Sequence, residues 1–139
     1  LAATLGAWWN QPVHARAVGR PAREHLQRVR DLLWEETARS PGLDELARLA
    51  GLSRFHLVRT FRETFGAPPH AYHLLVRLER ARLLVRDGAA IGEVAQRTGF
   101  SDQAHLTRLF RRRFGLPPGA YARALRPAPR AQERSSDDR

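Results

Sequence analysis

Apolar residues recur along the central part of this chain with the spacing of an amphipathic α-helix. Between about residues 23 and 39 they lie at intervals of three and four, and charged residues such as Glu24 and Arg28 stand between them. This spacing places the apolar side chains on one face of a helix, which the Ser-Pro-Gly sequence at 40–42 is expected to end. The apolar positions are Leu26, Val29, Leu32 and Leu33.

Six more helices are predicted by the same spacing together with turn residues. They are expected at 43–50, 53–65, about 70–86, 91–98, 103–114 and about 118–125. Ser53 is expected to cap the third helix, because a serine hydroxyl accepts a hydrogen bond from an amide of the first turn. The fourth and longest helix is expected to bury an apolar stripe of Ala71, Leu74, Leu75, Leu78, Ala81 and Leu84. The sequence has no strand pattern, so the predicted fold class is all-α with about seven helices.

The chain contains an internal repeat of about 50 residues. The segment from Gly51 to Tyr72, GLSRFHLVRTFRETFGAPPHAY, resembles the segment from Gly99 to Tyr121, GFSDQAHLTRLFRRRFGLPPGAY. The two match at an offset of 49 residues from the histidine onward, through the phenylalanines, the glycine, the Pro-Pro pair and the tyrosine. A repeat of this density indicates one structural unit used twice. We therefore expect two helix-turn-helix units joined by a long linker helix.

The repeat also suggests how the chain is divided. We expect residues 23–87 to form the first unit with the linker helix, and residues 88–126 to form the second. Residues 1–22 lack a sustained period and contain two tryptophans, so they are interpreted as a linker or a remnant of a further domain. Residues 127–139 are polar and contain proline, and they are predicted to be disordered. The chain begins with Leu, which suggests processing or a piece of a longer protein.

The second helix of each unit has the character of a DNA-recognition helix. In the helix-turn-helix motif this helix lies in the major groove, and the first helix braces it. If Leu57 and Phe61, and likewise Leu106 and Phe110, face inward, the helical period turns a mixed arginine, amide and apolar set outward. Such a set suits base edges, since Arg pairs with guanine, Gln with adenine and apolar groups with the thymine methyl. The outward positions are Arg54, Phe55, Val58, Arg59 and Arg62 in the first unit, and Asp102, Gln103, Ala104, Thr107, Arg108 and Arg111 in the second.

Charge and composition narrow the class of partner. The formal net charge is +10 with a pI near 11.6, and all 24 basic residues are arginine, so a polyanion is the first partner to consider. The absence of cysteine excludes disulfides, thiolate zinc sites and thiol catalysis, and it fits a cytoplasmic location. No apolar run is long enough for a membrane span.

The sequence contains neither a recognisable catalytic motif nor a complete set of metal ligands. There is no Ser-His-Asp set, carboxylate pair or phosphate-cradling glycine loop, so we predict that the chain is not an enzyme. His70 and His73 are spaced for a shared metal ion on a helix, but a third ligand is missing. We therefore expect neither a metal nor a cofactor.

The repeated pattern, above all GFSDQAHLTRLFRRRFGLPPGAY, resembles the DNA-binding domain of AraC/XylS-type bacterial transcription regulators over about residues 23–126. The Arg77-Leu78 pair and Ala81 also fit the linker helix of that family. The resemblance implies that the two recognition helices occupy successive major grooves of double-stranded DNA. The base-contacting positions that it implies are Arg54, Phe55, Val58 and Arg59, then Gln103, Ala104, Thr107 and Arg108.

The resemblance further implies a sequence-specific regulator, expected to be an activator, with RNA polymerase as a partner and an effector domain in a longer chain. The outward positions differ between the units, Phe55 against Ala104 and Val58 against Thr107, so a non-palindromic site is expected. The alternative hypothesis is a helical protein-interaction module whose arginine faces bind an acidic partner.

Overall fold

The computed structural model describes residues 20–126 of the 139-residue chain. The described part contains seven α-helices and no strand, which confirms the predicted all-α fold class. The expectations for most of 1–22 and for 127–139 fall on residues 1–19 and 127–139, which lie outside the described residues. The helices are α1 (Arg20–Glu35), α2 (Leu43–Ala50), α3 (Arg54–Phe65), α4 (Pro69–Arg86), α5 (Ile91–Arg97), α6 (Gln103–Phe114) and α7 (Pro118–Leu125).

The first helix differs from its predicted bounds at both ends. It begins at Arg20 rather than 23, since a proline at position 21 is tolerated in a first turn. It ends at Glu35 rather than 39, so the predicted end was wrong. Nε2 of His73, in α4, donates a 2.8 Å hydrogen bond to the carbonyl oxygen of Glu36. A contact from another helix therefore satisfies this carbonyl where the chain leaves its helical path.

The two predicted recognition helices, α3 and α6, have equivalent hydrogen-bonded caps at both ends. The Ser53 hydroxyl accepts a hydrogen bond from the His56 amide at 3.2 Å, which confirms the predicted cap. The Asp102 carboxylate accepts the equivalent bond from the His105 amide at 2.7 Å. Each helix ends at a left-handed glycine, with φ values of 83° and 81°. The repeat in the sequence is thus a repeat in local structure.

The buried residues form two clusters, one in each unit, and α4 contributes to both. Its first half supplies Tyr72 and Val76 to the first cluster, and its second half supplies Leu78, Ala81 and Val85 to the second. The ring of Phe61 meets Tyr72 edge-on at 5.3 Å between centroids, and Phe110 meets Tyr121 in the same way at 5.5 Å.

The predicted apolar stripe of α4 was only partly right. Leu78 and Ala81 are buried, whereas Ala71, Leu74, Leu75 and Leu84 are half-buried. The physical reason is that α4 packs against two cores in succession and turns a different face to each. A single stripe drawn along the whole helix cannot describe a helix that serves two cores.

The turn of the second unit is also tied to the rest of the fold through backbone contacts. Gly99 has a φ of 69°, and a Cβ added to it would lie 2.8 Å from the carbonyl oxygens of both Thr37 and Ala38. A contact below 3.0 Å is too close for any side chain without a shift of the backbone. The loop between α1 and α2 therefore packs directly on the turn between α5 and α6.

Candidate nucleic-acid interface

The exposed face of α3 contains most of the residues predicted for it. Arg54, Phe55, Arg59 and Arg62 are exposed, and Phe55 retains 71% of its surface in solvent. The other phenylalanines are buried or half-buried, so Phe55 alone among them leaves a largely exposed apolar surface available to a partner. Val58 is half-buried, so it faces outward less fully than expected.

The exposed face of α6 uses the positions equivalent to those of α3 but has different side chains at several of them. Gln103, Ala104, Arg108 and Arg111 are exposed, and Thr107 is half-buried. Asp102 belongs to the cap of the helix: the hydrogen bond from the His105 amide, helped by the positive charge of Arg108, lowers the pKa of its carboxyl. This carboxylate stays ionised and satisfies the first turn.

The two faces differ in electrostatics. α3 carries three arginines and one glutamate, whereas α6 carries four arginines and no acid. On α3, Nε of Arg59 pairs with Glu63 Oε1 at 3.2 Å, and Nε of Arg54 pairs with Asp44 Oδ1 at 2.8 Å. Within residues 20–126, no ion pair joins an arginine of α6 to a carboxylate. The second face is thus the more strongly positive of the two.

A cleft separates the two recognition helices on one side of α4. Val58 of α3 and His105 and Leu109 of α6 border a cavity of about 510 Å³ between the units. His105 packs edge-on against Phe100 at 5.4 Å between ring centroids, which explains why it is half-buried. Val58 therefore lies at the inner edge of its face, next to this cleft.

Sequence reasoning missed the two carboxylates beside the arginines of α3. The Arg59–Glu63 pair has the i,i+4 spacing at which opposite charges meet on a helix, and this signal was available in the sequence. The Arg54–Asp44 pair joins α3 to α2. Because its distance depends on how the two helices pack, local spacing carries no signal for it.

Of the two histidines considered for a metal, His73 serves the fold and His70 is exposed. His73 is buried and hydrogen-bonded to a backbone carbonyl, and burial lowers the pKa of its imidazole. Among the described residues, no group of three potential metal ligands comes together. None of the helices in residues 20–126 is long and apolar enough to cross a membrane.

Comparisons of the sequence with known proteins match it to helix-turn-helix proteins. A family model described as a helix-turn-helix domain matches residues 46–124. An uncharacterized HTH-type transcriptional regulator of Bacillus subtilis (strain 168), YbfI, is 36% identical over 81 residues, which are 58% of this chain and 30% of that relative. The chain thus spans less than a third of the curated relative that it matches.

Solved structures show the same architecture. The DNA-binding domain of AdpA, a global transcriptional factor solved in complex with a target DNA, is 31% identical with a TM-score of 0.67 over 71% of this chain and 90% of that one. An AraC-type regulator from Chromobacterium violaceum is 26% identical with a TM-score of 0.69 over 83% and 99% of the two chains. A probable AraC family regulator from Rhodopseudomonas palustris CGA009 is 28% identical with a TM-score of 0.66 over 75% and 99%.

The family match covers more than half of the chain, and it includes both recognition helices and the linker helix between them. It agrees with the resemblance that the repeated sequence motif carries. The family consists of transcription regulators and is not a family of enzymes. The chain belongs to the AraC/XylS-type family of DNA-binding helix-turn-helix transcription regulators.

Proposed function

We propose that this chain binds double-stranded DNA sequence-specifically, with α3 and α6 in successive major grooves. The observation that carries the proposal is the contrast within the repeat: both helices have equivalent N-cap hydrogen bonds, a C-cap glycine and a buried Leu and Phe, but their exposed faces differ. The relative whose DNA-binding domain was solved with a target DNA supports the choice of partner. The net charge of +10 supports an affinity for phosphates.

The residues assigned to DNA are those of the two outward faces. Arg59 and Arg108 occupy matching positions in the repeat and suit guanine, while Gln103 suits adenine. Phe55 and Ala104 also match each other and offer apolar surface to a thymine methyl. The full set is Arg54, Phe55, Val58, Arg59, Arg62, Gln103, Ala104, Thr107, Arg108 and Arg111.

One molecule would cover two half-sites, because one chain carries two recognition helices. Half-sites on one face of DNA are about 34 Å apart, one helical turn. If the linker helix holds the units at another spacing or tilt, the DNA bends, at a cost on the order of 1–6 kcal/mol. Since the two faces differ, the preferred site is non-palindromic and is bound in one orientation.

We assign the two units to residues 23–87 and 88–126 and residues 127–139 to a tail. Of the predicted linker or remnant at 1–22, residues 20–22 belong instead to α1. The regulator acts as an activator in the cytoplasm, with RNA polymerase as a protein partner and an effector domain elsewhere in a longer chain. Relatives described as a transcriptional regulator and a global transcriptional factor support the role in transcription regulation.

Selection of bound duplexes from a random pool tests the proposal. Enrichment of one asymmetric sequence with two short conserved blocks about one helical turn apart is the expected outcome. A mobility shift with the selected duplex, a random duplex and polyglutamate as competitors completes the test. Binding to polyglutamate with no enrichment of any duplex would instead establish the alternative, a module for acidic proteins.

A further inference from the structure

Two arginines of the first recognition helix are each paired with a carboxylate through Nε. The Arg59 pair with Glu63 measures 3.2 Å, and the Arg54 pair with Asp44 measures 2.8 Å. A guanidinium has five N–H donors, one on Nε and four on the terminal nitrogens. Pairing through Nε therefore leaves both terminal nitrogens for the two acceptors, O6 and N7, on the edge of a guanine.

The second unit lacks both carboxylates. At the offset of 49 residues, Glu63 corresponds to Arg112. Upstream of the turn the offset is 48, since Gly51 aligns with Gly99, and there Asp44 corresponds to Gly92. The second correspondence holds in space, because a Cβ added to Gly92 would lie 3.6 Å from the side-chain oxygen of Gln103, the counterpart of Arg54. At these two positions acids occur only in the first unit, whereas the second unit has a carboxylate near Arg108 at a different position, Asp102, the counterpart of Ser53.

The acids have two physical consequences for α3. Glu63 reduces the net formal charge of α3 to +2, against +4 for α6, and Asp44 of α2 places a further negative charge beside Arg54, so α3 attracts phosphates less strongly. Glu63 and Asp44 also restrain the long side chains of Arg59 and Arg54, whose rotamer freedom is otherwise lost on binding. A restrained guanidinium favours a guanine edge, whose two acceptors have a fixed arrangement, over a phosphate, which accepts hydrogen bonds from many directions.

We propose that Glu63 and Asp44 are positioning residues that raise the base preference of the first unit by orienting Arg59 and Arg54 and weakening nonspecific phosphate contacts. The second unit, without such acids, supplies the larger share of sequence-independent affinity. This assignment rests on the proposed DNA-binding function.

The test compares Glu63→Gln with the unmodified protein on the selected duplex and on random duplex. Exposed ion pairs of this kind contribute about 0.2–1 kcal/mol, which corresponds to as much as about a fivefold change in affinity. We expect affinity for random DNA to rise about two- to fivefold while affinity for the selected site changes less. The ratio of the two affinities falls, and the dependence of random-DNA binding on salt becomes steeper.

Glu93→Gln is the matched control. Glu93 Oε1 pairs with Arg97 at 3.2 Å with the same i,i+4 spacing, on α5, which contains none of the residues assigned to DNA. The two glutamates are similarly exposed, with 54% of the Glu93 side chain and 55% of the Glu63 side chain in solvent. Their arginine partners are exposed as well, Arg97 by 50% and Arg59 by 65%. The change in net charge is identical, so this variant should strengthen binding to both duplexes alike and leave their ratio unchanged.

A double-mutant cycle separates orientation of Arg59 from general electrostatics. If Glu63 acts through Arg59, Glu63→Gln leaves the affinity ratio unchanged in an Arg59→Ala background. The assignment of Glu63 is overturned if Glu63→Gln lowers the selected-to-random affinity ratio equally in the unmodified protein and in Arg59→Ala. It is also overturned if Glu63→Gln does not lower that ratio at all. Neither result affects the proposed function. An unmodified protein that binds selected and random duplexes equally overturns the proposed function, and the assignment with it.

Discussion

Nε of Arg77, in the linker helix, donates a 2.7 Å hydrogen bond to the carbonyl oxygen of Thr98, which follows the end of α5. A terminal nitrogen of the same guanidinium donates to the carbonyl oxygen of Gly99, and the guanidinium carbon lies 4.4 Å from the centre of the Phe100 ring. Arg77 therefore holds three consecutive residues of the second unit's turn against α4. This contact orients α6 relative to the linker helix.

Replacing Arg77 should loosen the second unit. Arg77→Gln removes two charge-assisted hydrogen bonds and a ring contact, and we expect the free energy of unfolding to fall by about 2–4 kcal/mol. Urea unfolding followed by circular dichroism measures the loss. Arg80→Gln is the control, because Arg80 is exposed on the same helix. Equal effects of the two variants would contradict the role assigned to Arg77.

Substitution of the turn glycines should have unequal effects. Gly51 and Gly99 both have positive φ, so alanine at either costs about 1–2 kcal/mol of conformational energy. At Gly51 the nearest atom to an added Cβ is His25 Nδ1 at 3.8 Å, whereas at Gly99 two carbonyl oxygens lie at 2.8 Å. We expect Gly99→Ala to lower the free energy of unfolding by about 1–3 kcal/mol more than Gly51→Ala. Similar urea midpoints for the two variants would show that the α1–α2 loop moves away from the added methyl group without loss of stability.

Loss of a proposed base contact should affect cognate DNA most. Arg59→Ala and Arg108→Ala should each weaken binding to the selected duplex by about 1–3 kcal/mol, because each removes a bidentate contact to one base. Binding to random duplex should weaken less, since a phosphate contact has many substitutes. Mobility-shift titrations on both duplexes make the comparison. Equal losses on the two would refute the base-contact assignment.

A phosphate contact has a different signature. Arg112 is exposed on α6, and its replacement by Ala should weaken binding to selected and random duplexes by similar factors. The slope of log affinity against log salt should become shallower by about 1, as expected when one counterion fewer is released. Titrations over a range of NaCl concentrations measure that slope. A selective loss on the cognate duplex would place Arg112 among the base contacts instead.

Acid should destabilise the fold through His73. Burial lowers the pKa of this imidazole below its value in the unfolded chain, about 6.5. Below that pH the unfolded chain takes up the proton more readily, so stability falls as pH decreases from the unfolded pKa toward the folded one. Urea midpoints at pH 7 and pH 5 should differ less in His73→Gln, whose amide keeps a donor for the Glu36 carbonyl. An unchanged difference would assign the pH dependence to other groups.

Local signals were sufficient for most helix boundaries. The bounds of α2, α6 and α7 agree with the prediction, and the Ser53 cap is confirmed, because caps, left-handed glycines and prolines act within one turn of the residue that carries them. The internal repeat further predicted that the chain contains two equivalent helix-turn-helix units. The fold class and the candidate DNA-binding faces followed from patterns of this kind, and the family was indicated by the resemblance of the repeated motif.

What the tertiary structure decided are the contacts between distant residues. The end of α1 depends on His73, 37 positions away from Glu36, and the faces of α4 depend on two cores that occupy different sides of it. The Arg54–Asp44 pair and the contact of Gly99 with the α1–α2 loop likewise follow from packing. The sequence by itself determined the helices and the doubled unit, since those depend on neighbouring residues. The tertiary structure determined how the units are held together and which arginines are paired, because these depend on distances that no local pattern specifies.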